Sequence, residues 1–124
     1  MTNQLRPSIL LDLAQGDLSR VTTEMVGEAY VAGDPIARET LEETVALLSL
    51  WLGNMVDLLE PDVMIMGGGV AAMLSPLFDE IRDRLPSCSV NSRCQEIPLL
   101  PAFYGANAGI AGGAALLSET LSTV

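Results

Sequence analysis

Apolar residues recur at helical intervals through the middle of the chain. Ile36, Thr40, Leu41, Thr44, Leu47, Leu48, Trp51, Leu52, Met55, Val56 and Leu59 fall on steps of three and four, which predicts a long helix ending near Leu59. Asp34 can cap its start, and Pro35 suits the first helical position, where no N–H is needed. Glu39, Glu42 and Glu43 sit in its early turns, where the macrodipole favours negative charge, and Pro61 ends it. Upstream, Ser8–Ala14 is an apolar run closed by Gly16-Asp17. A shorter helix then starts with Thr22 or Thr23 as its cap and runs to about Ala32, where Gly33 can take the left-handed closing position.

Downstream the period changes. Asp62–Met66 is a short apolar run between Pro61 and three glycines, the pattern of a buried strand in a parallel sheet. Ser75-Pro76 repeats the cap-plus-proline device and opens a helix to about Leu85. Asp79 and Glu80 lie at its start and Arg82 and Arg84 toward its end, in accord with the dipole. A weaker strand is expected within Cys88–Ile97, centred on Gln95–Leu99, with Pro98 and Pro101 limiting it or placing it near an edge. Gly105–Gly109 reads as a turn, and a final helix from about Asn107 to Leu121 carries Gly109, Gly112 and Gly113 for close packing. The expected organisation is a helical lead over 1–60 and a strand–glycine loop–helix–strand–helix unit over 61–124. This is an α/β class with a small parallel sheet flanked by helices. Two strands are few for a free-standing sheet, so the lobe reads as incomplete and prone to self-association through its sheet edge or long helix.

Composition narrows the chemistry. Of the 124 residues, 49 % are hydrophobic and 4 % aromatic, so the core must come from aliphatic residues and Met. Six Lys and Arg against sixteen Asp and Glu give a net charge of -10, a field that opposes direct contact with nucleic acid. The absence of histidine excludes triads with a His base and His-containing metal sites. Cys88 and Cys94 do not have zinc spacing, and two thiols make at most half a tetrahedral site. Their expected state is reduced, in a cytoplasmic protein, with a local disulfide as the alternative. No apolar stretch is long enough to span a bilayer.

The most informative segment is Val63-Met64-Ile65-Met66-Gly67-Gly68-Gly69-Val70. Glycines at the carboxyl end of a parallel strand let backbone come close to a phosphate or nucleoside. They serve equally as a tight turn with no ligand. A third reading is the dinucleotide pattern G-x-G-x-x-A, which Gly67–Ala72 formally satisfies. That pattern calls for an acidic residue about 20 positions on, whereas no acid follows Ser87 before Glu96.

Several segments, in order, resemble the closing part of the ROK family of sugar kinases and repressors. Ala32-Gly33-Asp34-Pro35 leads into the long helix. Leu58–Val70 resembles the family's run through a proline into a strand and its Gly-Gly-Gly, and Pro101-Ala102 followed by Gly105–Ala115 resembles its closing segment. The resemblance covers the chain from about Leu18 onward. It implies an RNase H-like lobe of the actin/hexokinase ATPase class, with Gly67, Gly68 and Gly69 beside the nucleotide. It also implies ATP with Mg as the cofactor of the complete enzyme and a glucose-type sugar as substrate, while the exposed sheet edge and helix face lead to the expectation of a homo-oligomer. The family's phosphate loop, catalytic Asp, sugar-site Glu and His, and zinc ligands have no counterpart here. The chain is therefore expected to be a piece of a longer protein, inactive alone, with no catalytic residue assigned. Asp57 and Asp62 read as solvated or capping groups. Two alternatives remain: the C-terminal piece of a sugar-sensing repressor, or a dimerising interaction module.

Overall fold

The computed structural model describes residues 6–122. Helices α1 (Leu10–Leu13) and α2 (Thr23–Val31) precede the 25-residue α3 (Pro35–Leu59). Strand β1 (Met64–Met66) leads through the glycines into α4 (Gly69–Leu74) and α5 (Phe78–Arg84). Strand β2 (Leu99–Pro101) and α6 (Ala108–Ser122) complete the order. β1 and β2 pair in parallel, Met64 opposite Leu99 and Met66 opposite Pro101. The connection between them crosses through α4 and α5, as a parallel pair requires.

The predicted caps of α2 and α3 form where the residues place them. The Thr22 hydroxyl accepts from Met25 N–H at 3.4 Å, and Gly33 adopts φ +82° after α2. Asp34 Oδ1 accepts from the N–H groups of Ile36 and Ala37 at 2.9 and 3.0 Å, while Oδ2 accepts from Ile9 N–H at 2.7 Å. One carboxylate thus starts α3 and ties the segment before α1 to it. The first turn of α3 holds no acidic residue, so this cap carries the negative charge that the dipole favours there.

Two expected element placements need correction, and the close packing expected at Gly109, Gly112 and Gly113 is not found, since a Cβ at each would meet nothing within 4 Å. The second strand lies at Leu99–Pro101, beyond the predicted centre at Gln95–Leu99, and Cys94–Glu96 is a 3₁₀ turn. Local bonds win there: Arg93 N–H reaches Asn91 Oδ1 at 2.9 Å and Cys94 N–H reaches Asn91 O at 3.1 Å, the competition with extended structure that Asn favours. Ser75 is not a helix cap. Its hydroxyl donates to Ala72 O at 2.9 Å, and Ser75–Leu77 is a 3₁₀ turn between α4 and α5.

The core lies between the inner face of α3 (Leu41, Val45, Leu52, Val56), α5 and the inner side of the sheet (Met64, Leu99). Leu74, Ile81 and Leu85 are fully buried, each contributing about 1.5–3 kcal/mol. Ser49, also fully buried, donates to Val45 O at 2.7 Å and lies 3.3 Å from Ile81 O, so its hydroxyl joins α3 to α5. Near the end of α3, Gly53 faces the backbone of Cys88: a Cβ there would lie 2.4 Å from the Cys88 carbonyl oxygen. One turn on, Asp57 accepts from Ser89 Oγ at 2.5 Å and from Val90 N–H at 3.1 Å. The Ser89 hydroxyl and then the Val90 N–H hold its carboxyl below the usual range, against desolvation. Asp57 is therefore a capping group, as expected, and it caps the loop after α5. The opposite face of α3 shows Leu47, Leu50, Trp51 and Leu58 to solvent, and the outer side of the sheet shows Ile65 and Leu100.

Candidate functional site

The three glycines stand at the carboxyl end of β1, each in a different environment. Gly67 is packed: a Cβ there would lie 3.2 Å from the Ala102 methyl, just beyond β2. Gly68 has φ +96°, a backbone conformation that side chains disfavour. Gly69 has neither constraint. It opens α4, and a Cβ there would meet nothing within 4 Å. The fold itself thus explains glycine at 67 and 68 and leaves 69 without a packing reason.

The second strand ends beside this turn. Ala102 N–H donates to Met66 O at 2.8 Å, after which the chain passes Phe103 and Tyr104 into the 3₁₀ turn Gly105–Asn107. That turn packs against α4. Two glycine turns therefore converge at one end of the sheet. The segments that build this end, Val63–Phe78 and Ile97–Ser118, contain no Asp, Glu, Lys or Arg. In a chain of net charge -10, segments with no carboxylate of their own repel an anionic ligand less than the acidic faces elsewhere.

Other concavities lack such convergence. A broad apolar hollow of about 1230 Å³ lies between the segment 6–19 and Ala32–Ile36. Its buried polar group is Asp34, whose oxygens are already engaged as caps. A cleft of about 370 Å³ beside Glu60, Asp62, Arg93 and Glu96 opens at the opposite end of β1, where Arg93 is paired with Glu96 at 2.8 Å. Cys88 and Cys94 are free thiols, Cys94 buried. Among the described residues no group of three or more His, Cys, Asp or Glu could hold a metal ion. No helix among them is long and apolar enough to cross a membrane.

A small parallel sheet flanked by helices, with a glycine turn where its first strand ends, makes this an α/β lobe, and its likeness to a solved ROK family glucokinase places it in the actin/hexokinase-like class. The solved ROK family glucokinase from Streptomyces griseus, in complex with glucose and AMPPNP, superposes with a TM-score of 0.71 at 27 % identity, covering 87 % of this chain and 35 % of that one. The ROK family profile matches residues 8–120, and the chain belongs to the ROK family. It is 38 % identical over 84 residues to the N-acetyl-D-glucosamine kinase of Pectobacterium carotovorum subsp. carotovorum (strain PC1), covering 68 % of this chain and 26 % of that protein. It is 29 % identical over 97 residues to the N-acetyl-D-glucosamine kinase of Pasteurella multocida (strain Pm70), covering 77 % and 31 %. The chain thus spans about a quarter to a third of the length of the curated relatives it matches.

The glycine turn was visible in the sequence, but the distinct environment of each glycine was not. The exposure of Phe103 and Tyr104 beside this turn was not marked in the sequence. Two adjacent aromatics in a chain this poor in them were the available signal.

Proposed function

We propose that this chain forms the nucleotide-side wall of a ROK-type sugar kinase, with the turn Gly67–Gly68–Gly69 lying against bound ATP or ADP. The observation that carries this reading is Gly69. It follows the carboxyl end of a parallel strand, within a segment that carries no charged residue, with open space where a side chain would be. The residues present suit a nucleotide's phosphates or ribose, which need close backbone approach and no nearby carboxylate. ATP would supply the transferable phosphoryl group. Mg would be held by groups outside this turn, because Val63–Phe78 and Ile97–Ser118 carry no carboxylate.

The same lack bears on catalysis. Phosphoryl transfer to a sugar needs a base within hydrogen-bond reach of the hydroxyl and charge-stabilising groups on the phosphoryl oxygens. Neither is present on the segments that form this end of the sheet. We therefore expect the chain alone to bind nucleotide without turning it over in the presence of glucose or N-acetylglucosamine.

Gly69→Ala separates the two roles of the turn. Alanine is the better helix former and meets nothing in the fold, so the thermal midpoint is expected to stay level or rise slightly. ADP affinity is expected to fall about tenfold or more, read by calorimetric titration. An unchanged affinity would remove Gly69 from the nucleotide wall, and sugar-dependent ATP turnover by the unaltered chain would overturn the non-catalytic reading. The uncovered apolar residues of α3 and of the outer sheet face support self-association of this chain, which sedimentation at rising concentration measures.

A further inference from the structure

Phe103 is 93 % exposed and Tyr104 58 % exposed. Their rings meet edge to face, with centroids 5.1 Å apart and planes at 88°. A single exposed aromatic is ordinary and calls for no explanation. Position and pairing set this one apart. The chain's other phenylalanine, Phe78, is buried in the core, whereas two of its few aromatic rings stand side by side on the loop that leaves β2.

That loop is tied directly to the glycine turn. Ala102 N–H donates to Met66 O at 2.8 Å, and the Ala102 methyl fills the space beside Gly67. Phe103 follows at the next residue, so its Cα lies about 3.8 Å from that of Ala102. The edge-to-face contact occupies at most one face of either ring and limits the freedom of both, and the Phe103 ring stays open to solvent. The surrounding segments are uncharged, which suits an uncharged planar group on a phosphorylated ligand. Stacking on an aromatic face is the general way to hold a nucleobase without reading its edges.

Building on the nucleotide-wall reading, we propose that Phe103, held in place by Tyr104, is the stacking platform for the base of the nucleotide at the Gly67–Gly69 turn. The platform discriminates by ring area rather than by hydrogen-bond pattern. It prefers purine over pyrimidine diphosphates and distinguishes poorly between adenine and guanine.

The test is titration calorimetry of the full chain and of Phe103→Ala and Phe103→Trp, with ADP, GDP, UDP and inorganic pyrophosphate as probes. The unaltered chain is expected to bind ADP and GDP within about threefold of each other and UDP about tenfold more weakly. Phe103→Ala should lose about tenfold or more for ADP and leave pyrophosphate binding unchanged, while Phe103→Trp should bind ADP at least as tightly as the parent. Because the side chain is exposed, thermal midpoints should match across the three proteins. Equal ADP affinity in Phe103→Ala overturns the proposal, and so does an equal loss for pyrophosphate, which would mean a disturbed turn rather than a lost stacking partner. If Gly69→Ala loses ADP while Phe103→Ala keeps it, the nucleotide wall stands and the platform falls. If the unaltered chain binds no ADP, both fall together.

Discussion

Alanine at position 53 is expected to cost about 3 kcal/mol or more, enough to abolish a cooperative melt or lower its midpoint by more than about 10 °C. Two effects oppose each other. Inside a helix alanine is favoured over glycine by about 1 kcal/mol. Against that, the new methyl would sit 2.4 Å from the Cys88 carbonyl oxygen and 2.8 Å from its carbon. Those atoms are backbone, and the loop they begin is pinned to α3 by Asp57 through Ser89 and Val90. The loop cannot retreat without breaking those bonds, so the clash prevails. Gly27 in α2 is the internal control. A Cβ there would meet only the thioether of Met73, with Sδ at 2.9 Å, an unbranched side chain that can swing away. Gly27→Ala should be neutral or slightly stabilising, so its denaturation midpoint should lie well above that of Gly53→Ala. Similar midpoints would mean that the Cys88 loop is not held as described.

Replacing Asp34 is the second large effect. Asp34→Ala removes the cap of α3 and frees the segment around Ile9 together, with an expected fall in midpoint of about 5–10 °C. Asp34→Asn dissects the loss. An amide oxygen can still cap Ile36 and Ala37, but its NH₂ would face the Ile9 N–H, donor against donor. Its midpoint should lie between those of the parent and the alanine variant. The pH dependence has a definite sign. Desolvation pushes the Asp34 carboxyl up, while the N–H groups of Ala37, Ile9 and Ile36 and the Ser8 hydroxyl push it down, and the balance lies below the ordinary value. A depressed pKa stabilises the fold above about pH 4, where an unfolded aspartate titrates, and that contribution is lost as pH falls through the lower folded value. The gap between parent and Asp34→Asn should thus be full at neutral pH and narrow below about pH 4. A gap constant down to acid would show that the carboxylate's charge has no part in the cap.

Much of the helical framework was legible because its signals are local. Thr22, Gly33, Asp34-Pro35 and Pro61 act through their own backbone or their nearest neighbours, so reading them needs no knowledge of the fold. The second strand was displaced because Asn91 and its neighbours close 3₁₀ turns where apolar content alone suggested extension. Ser75 has the composition of a cap, but α4 already runs into it from Gly69, leaving no free helix start to cap. Gly53 and Ser49 were illegible for a different reason. Each is defined by a backbone some thirty residues away, Cys88 for one and Ile81 for the other. At the glycine turn the sequence marked the location, and only the surroundings separate a packed Gly67 and a left-handed Gly68 from an open Gly69.

The proline that closes β2 makes the sheet one-sided. Met64 N–H donates to Pro98 O and Ala102 N–H donates to Met66 O, so 98, 100 and 102 turn their backbone groups toward β1, and 99 and 101 turn theirs away. Pro101 has no N–H, which leaves the free margin of β2 short of a donor and poor at recruiting another strand. The free margin of β1, carrying both polar groups of Ile65, has no such defect. Strand addition to this chain is therefore favoured at β1 over β2. Two copies joined through β1 would leave a proline-weakened margin at each end, a geometry that disfavours further growth.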